Sequence, residues 1–205
     1  MAVRTSNKRD SIFRAAIGLF ATQGFENTSM SEITQAAGAA DGTVFYHFKT
    51  KTGLFRAILE DTRELLVREL SELVDRRPAD SGLALLEETI AAFLSLASQQ
   101  RERFQILQQP HAYEQALVDP ECGKQLTALY DTVIQVFERA IERGVADGSM
   151  RAVGVRKAAM IVYCLLEGML RLETNHLYAP AALYDEALDM CRRMLAAQPG
   201  SVDHA

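Results

Sequence analysis

Apolar residues recur at three- and four-residue intervals along most of this chain, the period of helices that bury one face. Ile12, Phe13, Ala16, Ile17 and Phe20 line the inner side of a first helix, opened by Ser6 and ended by Gly24, with residues 1–5 as a separate arm. Ile33, Ala36 and Ala37 give a short second helix a narrow apolar face. Ser29 and Glu32 have the spacing of a capping box, in which each side chain satisfies a free amide at the other's end. Gly38 supplies the positive φ that stops this helix. A break from Gly38 to Asp41 leads into GTVFYHF, where Val44, Phe45 and Phe48 return at helical spacing. Thr50 then caps a fourth helix that Lys51 opens. It continues through Leu54, Phe55, Ile58, Leu65 and Leu73 to about Arg77, where Pro78 stops it. Its later turns are heavily charged, so it reads as an exposed strut.

Beyond the linker PADSG, the pattern predicts a helix over 83–100 carrying Leu85, Leu86, Ile90, Phe93, Leu94 and Leu96. RERFQILQQ is a shorter helix ended by Pro110, and HAYEQALVDPE reads as partly loop. A long helix over 122–143 has Leu126, Leu129, Val133, Phe137 and Ile141 on one side, before the break GVADGSMRAVG. The segment 155–177 is apolar nearly all round, which requires burial on two sides. One side would face its own domain and the other a second subunit. The last helix, about 181–197, carries Leu183, Ala187, Met190, Met194 and Leu195 as a stripe suited to the same interface.

The 205 residues are 48% hydrophobic, with 12 Gly and 5 Pro, a balance that favours an all-α protein with a real core. Net charge is −5, which by itself argues against nucleic acid, but its distribution argues for it. Residues 1–56 carry a net +3 and the remainder −8, a basic head on an acidic body. Arg4, Lys8 and Arg9 add to that head. The three cysteines, Cys122, Cys164 and Cys191, have no metal-ligand spacing and read as reduced core residues. No signal peptide opens the sequence and no apolar run reaches membrane-spanning length, so a cytoplasmic location is expected. Glu173 and His176 form a single E-x-x-H pair, where a di-iron bundle needs two, and it reads as a surface pair. No nucleophile elbow, phosphate loop or metal motif appears, and neither an enzyme nor a cofactor is expected.

Two short helices joined by a Gly-containing turn are a helix-turn-helix, whose second helix fits the major groove of DNA. The stretch TSMSEITQAAGAADGTVFYHFKTK resembles the DNA-binding signature of the TetR family of bacterial transcriptional regulators. The likeness is close from the first helix to the start of the fourth and extends further only in helical layout and length. It implies a DNA-binding domain over 1–55 with three helices and a helical effector-binding and dimerisation domain over 56–205. By position it assigns phosphate contacts to Ser29 and Lys51, where free helix amides also favour anions. Asp41, Gly42, Thr43, Phe45, Tyr46 and His47 fall on the start and outer face of the recognition helix. Thr43 is placed to meet a base edge or a thymine methyl, and Tyr46 and His47 to meet phosphates or bases.

Three departures qualify the match. Ala39 and Ala40 stand where the family usually has Val-Ser, so Asp41 is expected to cap the recognition helix. Phe45 replaces a usual Tyr and cannot hydrogen-bond a phosphate, a task that passes to Tyr46. Ser31 sits where many relatives carry a base-reading Arg, which weakens specificity there. The resemblance further implies a homodimer through the two C-terminal helices, a palindromic double-stranded operator, and release by a small, largely apolar effector. Phe93, Phe104, Leu107, Tyr130, Tyr163 and Glu167 are the candidate pocket residues. Glu167 lies in so apolar a helix that it needs a partner: Arg171, a cationic ligand or the second subunit. The alternative reading is a ligand-binding or protein-interaction module without a specific operator.

Overall fold

The computed structural model of the chain describes residues 2–76, 80–174, 177 and 183–197, and of residues 2–7, Asp41, Thr43 and Arg76 the backbone alone. The helices are α1 Ala2–Gln23, α2 Met30–Ala36, α3 Asp41–Phe48, α4 Lys51–Leu66, α5 Glu72–Arg76 and α6 Gly82–Gln99. They continue with α7 Arg101–Gln108, α8 Pro110–Val118, α9 Pro120–Ala146, α10 Val155–Thr174 and α11 Tyr184–Leu195. Among the described residues the extended pairing is limited to an isolated antiparallel bridge between Met150 and Ala196. The all-α expectation holds.

Several boundaries differ from the periodicity for local reasons. Helix α1 starts at Ala2, so residues 2–5 are helical and not a separate arm. The expected loop HAYEQALVDPE is mostly α8. Pro110 occupies its first turn, where a missing N–H costs nothing and the fixed φ favours helix, so the proline that ends α7 also begins α8. Asp119 opens α9 in the same way, its Oδ1 accepting the amides of Glu121 and Cys122. The predicted fourth helix is interrupted by a π segment, Val67–Ser71, between α4 and α5. Cys122 and Cys191 are buried as expected, but Cys164 is exposed on α10. His176 and the end of the expected strut at Arg77 lie outside the described residues.

Two compact units gather the helices. The first comprises residues 1–65 and 100–129, the second 66–99 and 130–205. The helix-turn-helix ends near residue 55, but compactness adds α7, α8 and the start of α9 to it.

In the first unit, Ile12, Ala16, Ile17 and Phe20 of α1 are buried with Ile33 of α2, Val44 of α3 and Leu54, Phe55 and Ile58 of α4. Phe20, Phe25 and Phe55 form an aromatic triangle with ring centroids 5.0 to 6.4 Å apart. Helix α7 is tied to the end of α1 by two amide side chains. Gln105 donates to the Ala21 carbonyl, and Gln109 to those of Phe20 and Ala21. Both carbonyls lie in the last turn of α1, where that of Phe20 also accepts the Gly24 amide. On the other side of α7, Arg103 pairs with Asp61 at 2.7 Å and donates to the Thr62 hydroxyl at 2.9 Å.

In the second unit, Leu85, Leu86, Ile90 and Phe93 of α6 are buried with Val133, Phe137 and Ile141 of α9 and Ala159, Val162 and Leu166 of α10. The α9–α10 loop supplies the N-terminal cap of α6. Asp147 accepts the Gly82 amide and the Ser149 hydroxyl accepts that of Leu83. The same loop closes α11, since the Arg151 amide donates to Leu195 and its side chain to Met194. Gly82 is required by this arrangement. A Cβ there would lie 2.0 Å from the Gly144 amide nitrogen and 2.3 Å from its Cα.

Gly82→Ala is therefore expected to cost about 3 kcal/mol or more, because backbone atoms must separate. At Gly144 a Cβ meets first the buried Met150 side chain, 2.6 Å away at its nearest, which can shift more readily than backbone, so Gly144→Ala should cost less. Urea unfolding of the two variants against the parent checks the order, read as a shift in midpoint at constant slope.

Candidate nucleic-acid interface

The α2 N-terminus is built as its sequence predicts. The Ser29 hydroxyl accepts the Glu32 amide at 3.1 Å, and the Glu32 carboxylate accepts the Ser29 amide at 2.7 Å. Bonds from the Ser29 hydroxyl and amide hold the Glu32 carboxyl below its ordinary pKa. Gly24 and Gly38 adopt positive φ where α1 and α2 end. Ser29 and Ser31 are both exposed on the first turn of α2 and its approach.

Helix α3 is anchored by Val44, which is fully buried, and by Phe48, whose ring packs on Phe13 of α1 at 5.5 Å. Gly42, Phe45, Tyr46 and His47 are exposed together, Tyr46 at 80%. Phe45 does not join the apolar face that its spacing suggested. It is 49% exposed, and of the described side chains of α3 Val44 takes the buried place, with Phe48 half-buried. Asp41 is also reassigned. The chain is extended at Ala40, which takes the cap position without a side-chain bond, and Asp41 becomes the first helical residue. The side chains of Asp41 and Thr43 lie outside the described residues.

Lys51 departs most from expectation. Its ammonium donates to the carbonyls of Phe25, Glu26 and Thr28 at 2.7, 3.2 and 2.8 Å, and lies 4.4 Å from the centre of the Phe25 ring. All three N–H bonds are committed to the link between α1 and α2. The phosphate contact that the family likeness suggested for this side chain gives way to a structural one. Nothing in the local sequence signals it, since the partners lie 23 to 26 residues away.

His111 of α8, which the sequence analysis left aside, supports the same link. Its ring stacks on Phe25 at 3.7 Å and meets Phe55 edge-on at 5.6 Å, and it is 8% exposed. Neither ring nitrogen has a hydrogen bond among the described residues. Glu26 lies 3.4 Å and Glu114 4.0 Å from Nδ1. Burial lowers the His111 pKa, Lys51 adds to this, and the two carboxylates oppose it.

The candidate effector residues divide between the units. Phe93 meets Phe137 and Tyr163 at 5.9 and 6.2 Å, and Tyr130 meets Tyr163 at 5.9 Å, all within the second unit. Glu167 finds its partner one turn back, in a short hydrogen bond with the Tyr163 hydroxyl. Phe104 and Leu107 are buried on α7, in the first unit.

Comparison with known proteins agrees with this geometry. The family model "Bacterial regulatory proteins, tetR family" matches residues 12–58. The transcriptional regulator AcrR of Shigella flexneri is 29% identical over 187 residues, covering 88% of this chain and 84% of its own. The transcriptional repressor KstR2 of Mycolicibacterium smegmatis is 24% identical, covering 71% and 69%. A tetR-family regulatory protein from Rhodococcus RHA1 superposes with a TM-score of 0.76 at 23% identity, covering 93% of this chain and 98% of its own. FadR of Bacillus subtilis, solved with stearoyl-CoA, gives 0.72 at 19%, covering 88% and 96%.

A capped, basic-headed helix-turn-helix on a helical body defines a DNA-binding transcriptional regulator. Among such regulators, the DNA-binding domain matched over residues 12–58 is that of the TetR family. No described helix is long and apolar enough to cross a membrane.

Lys51→Met should destabilise the protein by about 3 kcal/mol, since partly buried carbonyls lose their donor. It should leave the salt dependence of DNA binding nearly unchanged, because no phosphate contact is removed; unfolding curves and a salt titration check both parts. A second prediction concerns pH. The unfolded chain protonates His111 near 6.5, whereas the folded site resists until lower pH. Stability is thus full above the unfolded value and falls as pH drops through 6.5 toward the folded value, by at most about 1.4 kcal/mol per unit. Urea midpoints between pH 7.5 and 5 should show that loss, and His111→Phe should flatten it.

Proposed function

We propose that the protein represses transcription as a homodimer, each subunit laying α3 in a major groove of a palindromic operator. The observation that carries this reading is the outer face of α3, where Gly42, Phe45, Tyr46 and His47 are exposed on a helix anchored from behind. Dimer symmetry then places half-site centres about 34–36 Å apart, one turn of DNA. Exposed Met160 and Ile161 on α10 and Met190 on α11 favour these two helices as the dimer contact, since a second copy removes that apolar surface from water. The relatives named as repressors support the sign of regulation. Action in the cytoplasm, where the operator is reached, follows from the same reading.

The Phe93, Tyr130, Phe137 and Tyr163 rings, with the Tyr163–Glu167 pair beside them, favour a largely apolar effector carrying a polar or cationic group. The stearoyl-CoA bound by FadR is an apolar-tailed effector on the same fold. Such a ligand releases the operator by its difference in affinity for the free and DNA-bound dimer, and by no more.

Fluorescence anisotropy against DNA from upstream of the protein's own gene tests the proposal, with random duplex as reference. Selective binding is expected, with Tyr46→Ala at least tenfold weaker, about 1.4 kcal/mol. Binding to selected sequences no tighter than to random duplex would remove the operator from the reading.

A further inference from the structure

Helix α3 leaves through a strained turn. The Thr50 amide donates to the Phe48 carbonyl across a single residue, closing a γ-turn on Lys49. Lys49 has φ 56 and ψ −46, and is the sole non-glycine residue at positive φ among the described residues. That is the rare, strained form of the γ-turn. A side-chain-bearing residue is strained there, and glycine would adopt the turn more readily. The turn cannot relax toward α4. The Gly53 amide donates to the Thr50 hydroxyl, and the Phe48 carbonyl sits so close that a Cβ on Gly53 would be 2.4 Å from it.

Lys49 also lines a recess of about 490 Å³ in the first unit. Its walls bring together three cations, Arg9, Lys49 and Arg56, and the imidazole of His47, against the carboxylates of Glu60 and Glu121. Arg9 is held by the Phe13 ring, 5.0 Å from its guanidinium carbon, and Phe13 packs on Phe48 beside Lys49. Lys49 is exposed and carries no ion pair among the described residues. A concentration of positive charge next to the exposed face of α3, in a protein of net charge −5, suits an anion that arrives with the DNA.

We propose that this recess receives a backbone phosphate of the operator, bound by Lys49 with Arg9 and Arg56 behind it. The strained turn places a cation at the end of α3 that Lys51, committed to carbonyls, does not supply. The inference rests on the operator-binding reading of α3 and adds a phosphate contact that positions the helix without reading sequence.

Lys49→Met and Lys49→Gly, measured with the full-length protein, test it. Losing one phosphate contact lowers the slope of log affinity against log salt by about 0.9. The deficit of each variant should therefore shrink about 3.5-fold between 50 and 200 mM salt, a fourfold change. Lys49→Gly should show the same slope loss while melting at a higher temperature, because it relieves the turn. A merely structural lysine would move stability and leave the slope alone. Slopes unchanged in both variants overturn the proposal even if the parent binds its operator selectively. If the parent shows no selectivity, the operator reading fails, and slopes on random duplex still decide Lys49. Inorganic phosphate binding calorimetrically in a Lys49-dependent way, with DNA slopes unchanged, would assign the recess to free phosphate instead.

Discussion

Three backbone carbonyls, those of Phe25, Glu26 and Thr28, converge on the ammonium of Lys51, and the DNA-reading head depends on that convergence. The link between α1 and α2 is not helical there, and of these carbonyls that of Phe25 also accepts the Thr28 turn amide. A buried acceptor without a donor is expensive. One cation with three donors satisfies all of them, which draws the first residue of α4 under the end of α1. Helix α3 lies in the chain between these fixed points. Its exit is set by the γ-turn at Lys49, and its anchors are Val44 and Phe48. The exposed face carrying Tyr46 and His47 is thus positioned by contacts at both of its neighbours.

The same economy recurs at other helix ends. Each helix leaves amides or carbonyls unpaired, and here residues distant in sequence satisfy them. Gln105 and Gln109 close α1 within the first unit, and Asp147 and Ser149 open α6 within the second. The α9–α10 loop serves two helices at once, since Arg151 also closes α11. Helices held by their termini have less freedom to shift along their axes than apolar packing alone would leave. That suits a regulator whose output depends on where a short helix sits. His111, stacked on Phe25, adds a pH-sensitive support to one such terminus, because its burial favours the neutral ring.

Much of the candidate site was legible before any coordinates. The Ser29–Glu32 box, the stops at Gly24 and Gly38 and the Thr50 cap are short-range devices, and each formed as its residues indicate. Tyr46 and His47 were placed on the outer face by the family likeness, and both are exposed. Other positions depend on contacts further away. Phe45, which the family likeness set on the outer face and its spacing set with Val44 and Phe48, lies exposed with the former. Lys51 looked like a phosphate ligand by position, yet its partners come from another stretch of chain. Phe104 and Leu107, candidate pocket residues by family layout, lie on α7, which packs on α1 within the first unit.

By itself, then, the sequence determined the helices, their caps, the helix-turn-helix and the family, because these rest on contacts within a few residues and on a motif of fixed spacing. Only the tertiary structure decided which unit each helix serves and where the Lys51 ammonium goes. It also decided that Lys49 holds a strained backbone beside Arg9 and Arg56. A side chain's donors go to the nearest unsatisfied acceptors in space, and proximity in space is set by packing of the whole unit.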